Sequence, residues 1–190
     1  YLRHLGDRLA VDGDRPTVDL HEGGYLYLAT EAGADALRAN HSLQVAEGAD
    51  ILLMDRDAIA ARFPWFALDD VVLGSWGRSG EGWFDGWGLM QAFRRKARSL
   101  GVTYVDGTVT GVERQGSRVT AVSLADGSRI ACGGVVNAAG ASGGRQVAAM
   151  AGVEIPVHGK KRCVFAFSCR ADFRDAPLLI DTSGVWCRPE

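Results

Sequence analysis

The sequence contains no CxxC pair, no apolar run of membrane-spanning length and no block of basic charge outside a single segment. Each absence removes a class of function. The four cysteines, Cys132, Cys163, Cys169 and Cys187, stand apart and have no histidine at metal-ligand spacing, so a zinc site is not expected. Cys163 and Cys169 share a parity in the strand-like KRCVFAFSC, which puts them on one side but too far apart along the chain to bridge. Reduced thiols and a reducing, cytoplasmic compartment are the expectation. The opening YLRHLGDRLAVDGDRP has neither the apolar core nor the small-residue cleavage site of a secretory signal, and no membrane insertion is expected. With a formal net charge of −2, a pI near 6.1 and scattered basic residues, nucleic acid is not an expected partner. No internal repeat is present. What remains is a chain of 190 residues, 47% hydrophobic and 23% charged, the balance of a soluble globular protein of one domain or two intimate ones. It begins on Tyr1 and stops at RPE directly after the strand-like VWC, which reads as a fragment of a longer protein.

Hydrophobic period divides the chain into elements. Leu2, Leu5, Leu9 and Ala10 have helical spacing before a turn at DGDRP. Tyr25 to Leu28 form a short β-rich run behind Gly23-Gly24, and Thr30 suits the N-cap of a helix from Glu31 to about Glu47, stopped by Gly48. A second helix follows Asp55 and ends before Pro64, and VVLGSW reads as a strand. EGWFDGWGLMQAFRRKARSLG carries the clearest helix code. Asp85 is the N-cap, Leu89, Phe93, Ala97 and Leu100 make the apolar stripe, and Gly101 is the stop. Arg94, Arg95, Lys96 and Arg98 toward its far end suit the helix dipole and a solvated face. From Val102 the period changes to two. VTYV, TVTGVE, RVTAVSLA and RIACGGVVNAA are predicted strands separated by DG, QGS and DGS turns. A loop at 140–144 leads to a short helix in RQVAAMAG, and IPV, KRCVFAFSCRA, PLLID and GVWCRP are expected to form an antiparallel sheet.

VVNAAGASGG, residues 135–144, runs an apolar segment into side chains so small that the backbone is left bare. Either another element of the protein packs there or a ligand approaches. In open α/β sheets, ligands bind beyond the carboxyl ends of strands, where a helix N-terminus offers free N–H groups. Spacing alone does not choose.

EGWFDGWGLMQAFRRKARSLGV, the meander after it, VVNAAGAS and IPVHGKKRCVFAF resemble, in order and spacing, the FAD-dependent D-amino-acid oxidase superfamily, on the side of sarcosine oxidase and dimethylglycine dehydrogenase. GGYLYLAT, RFPWF and DTSGVWCRPE are similar to the subgroup of FAD-dependent oxidoreductase domain-containing proteins, one of which assists assembly of a respiratory complex. The resemblance implies an α/β and α+β architecture: part of an FAD/NAD(P)-binding Rossmann-like domain with a β-meander, plus a substrate domain with a mixed or antiparallel sheet and helices. Residues 1–82 and 153–190 would belong to the substrate domain and residues 83–152 to the FAD domain. It implies FAD as cofactor, with Val109 facing the adenine and Ala138, Ala139 and Gly140 passing close to the dinucleotide. Two departures stand out. Ser142 occupies the position usually held by Trp after NAAGA, and Gly86 replaces the usual proline after Asp85. The phosphate-binding GxGxxG that the family carries has no match in the chain, so the resemblance implies a central portion of the whole protein.

The implied activity is oxidation of the C–N bond of a secondary or N-methylated amino acid, with a small-molecule amine or amino acid as substrate and a quinone or electron-acceptor protein as further partner. Such a site needs a cation for the substrate carboxylate, and Arg188, in the RPE segment of a predicted sheet strand, is the candidate catalytic residue. A surface ion pair is the competing reading of Arg188. Lys160, Lys161 and Arg162 open another predicted strand and suit either a flavin pocket or a solvated turn. His21 and His158 lack an acidic partner at suggestive spacing; His158 would serve as base if the substrate were a 2-hydroxy acid. Tyr25 and Tyr27 share one strand face, which covers a core or lines a pocket. The five tryptophans are expected mostly in packing. A flavin-fold assembly factor acting by protein binding is the alternative from another class.

Overall fold

A computed structural model describes residues 1–170 and 172–189. Packing divides the chain into two compact units, Tyr1–Val102 with Cys169–Glu190, and Thr103–Ser168. The expected boundary after residue 82 therefore falls inside the first unit, and residues 153–168 group with the second.

The first unit is built on a five-stranded sheet in the order β2-β3-β1-β7-β8. Its strands are β1 (Tyr25–Ala29), β2 (Ile51–Asp55), β3 (Leu73–Gly77), β7 (Leu178–Ile180) and β8 (Trp186–Cys187). All pairs are antiparallel except β1 with β7. The sheet is thus mixed, and PLLID joins it beside β1, not beside KRCVFAFSC. Two helices accompany it, α2 (Glu31–Ala46) and α3 (Arg56–Arg62). Asp55 ends β2 and caps α3 at once: its carboxylate accepts from the Ala58 N–H at 2.8 Å, satisfying one of the unpaired donors at a helix start. Leu26, Leu28, Met54, Ile59, Phe63, Leu68 and Val71 form the core, with Phe66, Trp76 and Leu179 against it. Gly74 admits Ile59 to the sheet, since a Cβ there would lie 2.8 Å from Ile59 Cδ1. The rings of Phe63 and Trp76 meet edge to face at 5.3 Å.

The opening segment is a single 3-10 turn, Leu2–His4, followed by α1 (Leu5–Arg8). It packs on α4 (Gly86–Ser99) through Leu5, Leu9, Val18 and Ala92, with Phe84 and Leu89 at the margin. The basic end of α4 is anchored as well as solvated: Arg95 pairs with Asp14, and Lys96 Nζ donates to the Ala10 carbonyl at 2.8 Å. Asp85 stands at the N-cap position, as expected, but makes no capping bond through its side chain.

The second unit holds the meander β4-β5-β6, with β4 at Val109–Gln115, β5 at Arg118–Leu124 and β6 at Arg129–Ala131. The QGS and DGS turns fall where expected. α5 (Gly140–Met150) packs against β4 and begins at Gly140, earlier than the predicted RQVAAMAG. Four predicted strands are not formed: VTYV, VVNAA, IPV and KRCVFAFSC have no ladder partner among the described residues. Val136, expected to be buried, is 92% exposed. Apolar alternation makes a segment compatible with a sheet, but the strand exists only when a neighbour takes its N–H and C=O groups. None of the four cysteines is in a disulfide. Among the described residues no helix is long and apolar enough to cross a membrane, and no cluster could hold a metal ion.

Candidate functional site

In the first unit, β1 separates two faces. Leu26 and Leu28 enter the core, so period two sends Tyr25 and Tyr27 to the opposite face. Of the two readings of the tyrosines, cover for this core is thereby ruled out. Register carries the face across the sheet: Tyr27 pairs with Ser75 and Ile180, Ser75 with Leu53, and Ile180 with Trp186. Arg188 lies one residue beyond β8. Tyr25, Tyr27 and Ser75 therefore share the sheet face that the core does not use.

A short crossing segment borders this face. His21 and Trp83 form an isolated antiparallel bridge, with His21 N–H donating to the Trp83 carbonyl at 2.8 Å and the reverse bond at 3.0 Å. Their rings lie 4.4 Å apart. The Tyr25 hydroxyl donates to the Gly82 carbonyl at 3.1 Å, and the Arg188 guanidinium carbon sits 5.6 Å from the centre of the Trp83 ring. Glu81 folds back over Gly77, whose Cβ would lie 2.0 Å from the Glu81 carboxylate. Burial pushes the Glu81 carboxyl above its ordinary value, against a hydrogen bond from the Tyr25 backbone that lowers it. A polar cleft of about 380 Å³, lined by Arg3, Asp50, Ser79 and Glu81 among others, contains no predicted site residue.

The second unit holds the other predicted residues. Val109 opens β4 opposite Leu124 and is half-buried. Ala138, Ala139 and Gly140 are exposed at the start of α5. Gly140 has φ +64°, a left-handed conformation that favours glycine, and nothing approaches within 4 Å of where its Cβ would be. Asn137 shapes the entry: its Nδ2 donates to the Gly144 carbonyl at 2.7 Å, and its Oδ1 accepts from the Ala139 N–H at 3.3 Å. No acidic residue occupies the first turn of α5. A bare backbone, open space over Gly140 and a helix start without opposing charge fit the diphosphate-bearing FAD. His158 Nδ1 lies 3.4 Å from Arg145 Nη1 in this unit, and Lys160, Lys161 and Arg162 are exposed and outside any strand.

The chain belongs to the family described as FAD dependent oxidoreductase, whose pattern matches residues 2–190, and FAD is its cofactor. It is 35% identical to FAD-dependent oxidoreductase domain-containing protein 1 of Xenopus laevis over 100% of this chain and 44% of that protein. The Bos taurus protein of the same name is also 35% identical, over 100% and 45%. The chain thus spans less than half the length of these relatives. Among solved structures, L-proline dehydrogenase from P. horikoshii matches with a TM-score of 0.63 and 25% identity, covering 72% of this chain and 36% of that one. Glycine oxidase from Geobacillus kaustophilus shares the fold with a TM-score of 0.66 at 22% identity, covering 83% and 41%.

Sequence reasoning named Arg188 but missed the Trp83 ring beside it and the His21 ring behind that one. It also passed over Ser75, which the structure buries opposite Tyr27. Trp83 lies in an isolated bridge outside any strand, so no period marks it.

Proposed function

We propose that the chain is part of an enzyme that oxidises the C–N bond of a secondary or N-methylated amino acid. The observation that carries this reading is that Arg188 and Tyr25 meet one segment, Arg188 over the Trp83 ring at 5.6 Å and the Tyr25 hydroxyl on the Gly82 carbonyl at 3.1 Å. A guanidinium presents its N–H groups as a planar fork that matches a carboxylate, and tyrosine rings give an apolar wall for the substrate carbon chain. Bound FAD supplies the hydride acceptor. Residues of this chain bind and orient: Arg188 takes the carboxylate, Tyr27 lines the face, and Val109, Ala138, Ala139 and Gly140 lie along the cofactor. L-Proline dehydrogenase, a structural relative, acts on an amino acid whose nitrogen is secondary, which supports this substrate class. A small-molecule amino acid as substrate, a quinone or protein as electron acceptor and a cytoplasmic site of action belong to the same proposal.

The test is anaerobic titration of the flavin-loaded protein with sarcosine, L-proline, glycine and lactate, following the oxidised-flavin absorbance. Bleaching by sarcosine or proline at concentrations where glycine and lactate leave the spectrum unchanged is the expected result. Reduction by lactate alone would replace this reading with a 2-hydroxy acid dehydrogenase. A flavin that none of the four reduces would favour the assembly role.

A further inference from the structure

We infer that Trp83 is a positioning residue for Arg188, and that the Trp83 ring, backed by His21, tunes the site for substrates bearing a carboxylate. The inference rests on the reading of Arg188 as the carboxylate-binding group.

Its first support is that the indole is fixed before any ligand arrives. The bridge between His21 and Trp83 holds both backbones by reciprocal hydrogen bonds, and the two rings are in contact at 4.4 Å. Glycines make the room. A Cβ on Gly23 would lie 2.8 Å from Trp83 Cη2 and 2.9 Å from His21 Nε2, and one on Gly82 would lie 1.9 Å from the His21 carbonyl oxygen. The Tyr25 hydroxyl holds the same segment through the Gly82 carbonyl at 3.1 Å. Three separate restraints therefore fix one ring.

The second support is the distance of 5.6 Å from the Arg188 guanidinium carbon to that ring's centre, inside the ~6 Å reach of a cation–π contact. Arg188 lies one residue beyond β8, an edge strand of the sheet, and carries a long side chain. Ordering such a side chain on binding costs about 0.5–1.5 kcal/mol. A ring that already holds the guanidinium removes part of that cost. The stack uses the face of the guanidinium, whereas hydrogen bonding to a carboxylate uses its edge, so the two interactions are compatible. Lysine has no such face and edge, and leucine at position 83 would offer no quadrupole.

The test compares propionate with propionamide, a pair that differs in charge, by calorimetric titration of the flavin-loaded protein and of its Trp83→Leu, Trp83→Phe and Arg188→Met variants. Trp83→Leu is expected to weaken propionate about fivefold, with Trp83→Phe between it and the unchanged protein. Propionamide affinity stays the same in both. Loss of affinity for both probes together would mean that Trp83 only packs and would overturn the inference, as would unchanged propionate binding. If Trp83→Leu melts at a much lower temperature, Trp83→Phe decides, because it keeps the ring packing and weakens only the face. Should Arg188→Met leave propionate binding intact while Trp83→Leu weakens it, the carboxylate reading of Arg188 falls. If Arg188→Met weakens propionate and the Trp83 variants do not, only the positioning role falls.

Discussion

The two units use similar apolar sequences to different effect. In the first, YLYLA and LGSWG find each other directly: β1 and β3 pair in register from Leu26 with Trp76 to Ala29 with Leu73, and α3 closes the core with Ile59 and Phe63. In the second, VVNAA and KRCVFAFSC carry equally apolar side chains, yet Val136 and Phe165 are open to solvent, and Ala121, Leu124 and Ala148 make up the recorded buried hydrophobics. The difference is one of partners. An antiparallel neighbour can come from a nearby stretch of the same chain, whereas a strand of the parallel type draws its neighbours from distant segments. Apolar content measures what a segment would gain by burial; pairing decides whether it gains it.

Removing a side chain from each region breaks this comparison cleanly. Phe63→Ala, at a residue with no exposure and ring contacts to Trp65, Phe66 and Trp76, is expected to destabilise the protein by about 3–5 kcal/mol in chemical denaturation. Asp55→Ala removes the bond to the Ala58 N–H that starts α3 and is expected to cost about 1 kcal/mol in the same measurement. Val136→Ser, at the opposite extreme, should change stability by less than about 0.5 kcal/mol, and hydrogen exchange should find the amides of residues 135–138 unprotected while those of β1 and β3 persist. A large effect at Val136 would show that the segment is paired, and would erase the contrast.

The contrast also explains what could be read from the sequence. The boundaries of α3 and α4 were legible because their signals are local, whereas α5 starts at Gly140 inside a glycine-rich stretch read as a loop. Asp55 and Pro64 bracket α3, and α4 runs from Gly86 to Ser99 between Asp85 and Gly101, which takes φ +87°. The meander was legible for the same reason, since DGS and QGS fix adjacent strands. β2 escaped notice because ILLMD is a short, continuous apolar run without alternation. The parallel pairing of β7 with β1 joins residues about 150 positions apart, and no local residue encodes it. At the candidate site, Arg188 was singled out by resemblance, and the alternation of Tyr25 and Tyr27 was seen, but which face met the core required the sheet itself. Val109 opens a strand, and Ala138, Ala139 and Gly140 lie at an exposed helix start.

β1 carries two independent instructions in five residues. Leu26 and Leu28 answer to folding, while Tyr25 and Tyr27 answer to whatever meets the other face. The two sets interleave without sharing an atom of side chain, so Tyr27 is free to vary while the hydrophobic contacts of Leu26 and Leu28 stay as they are. One strand thereby separates what must be kept from what is open to change.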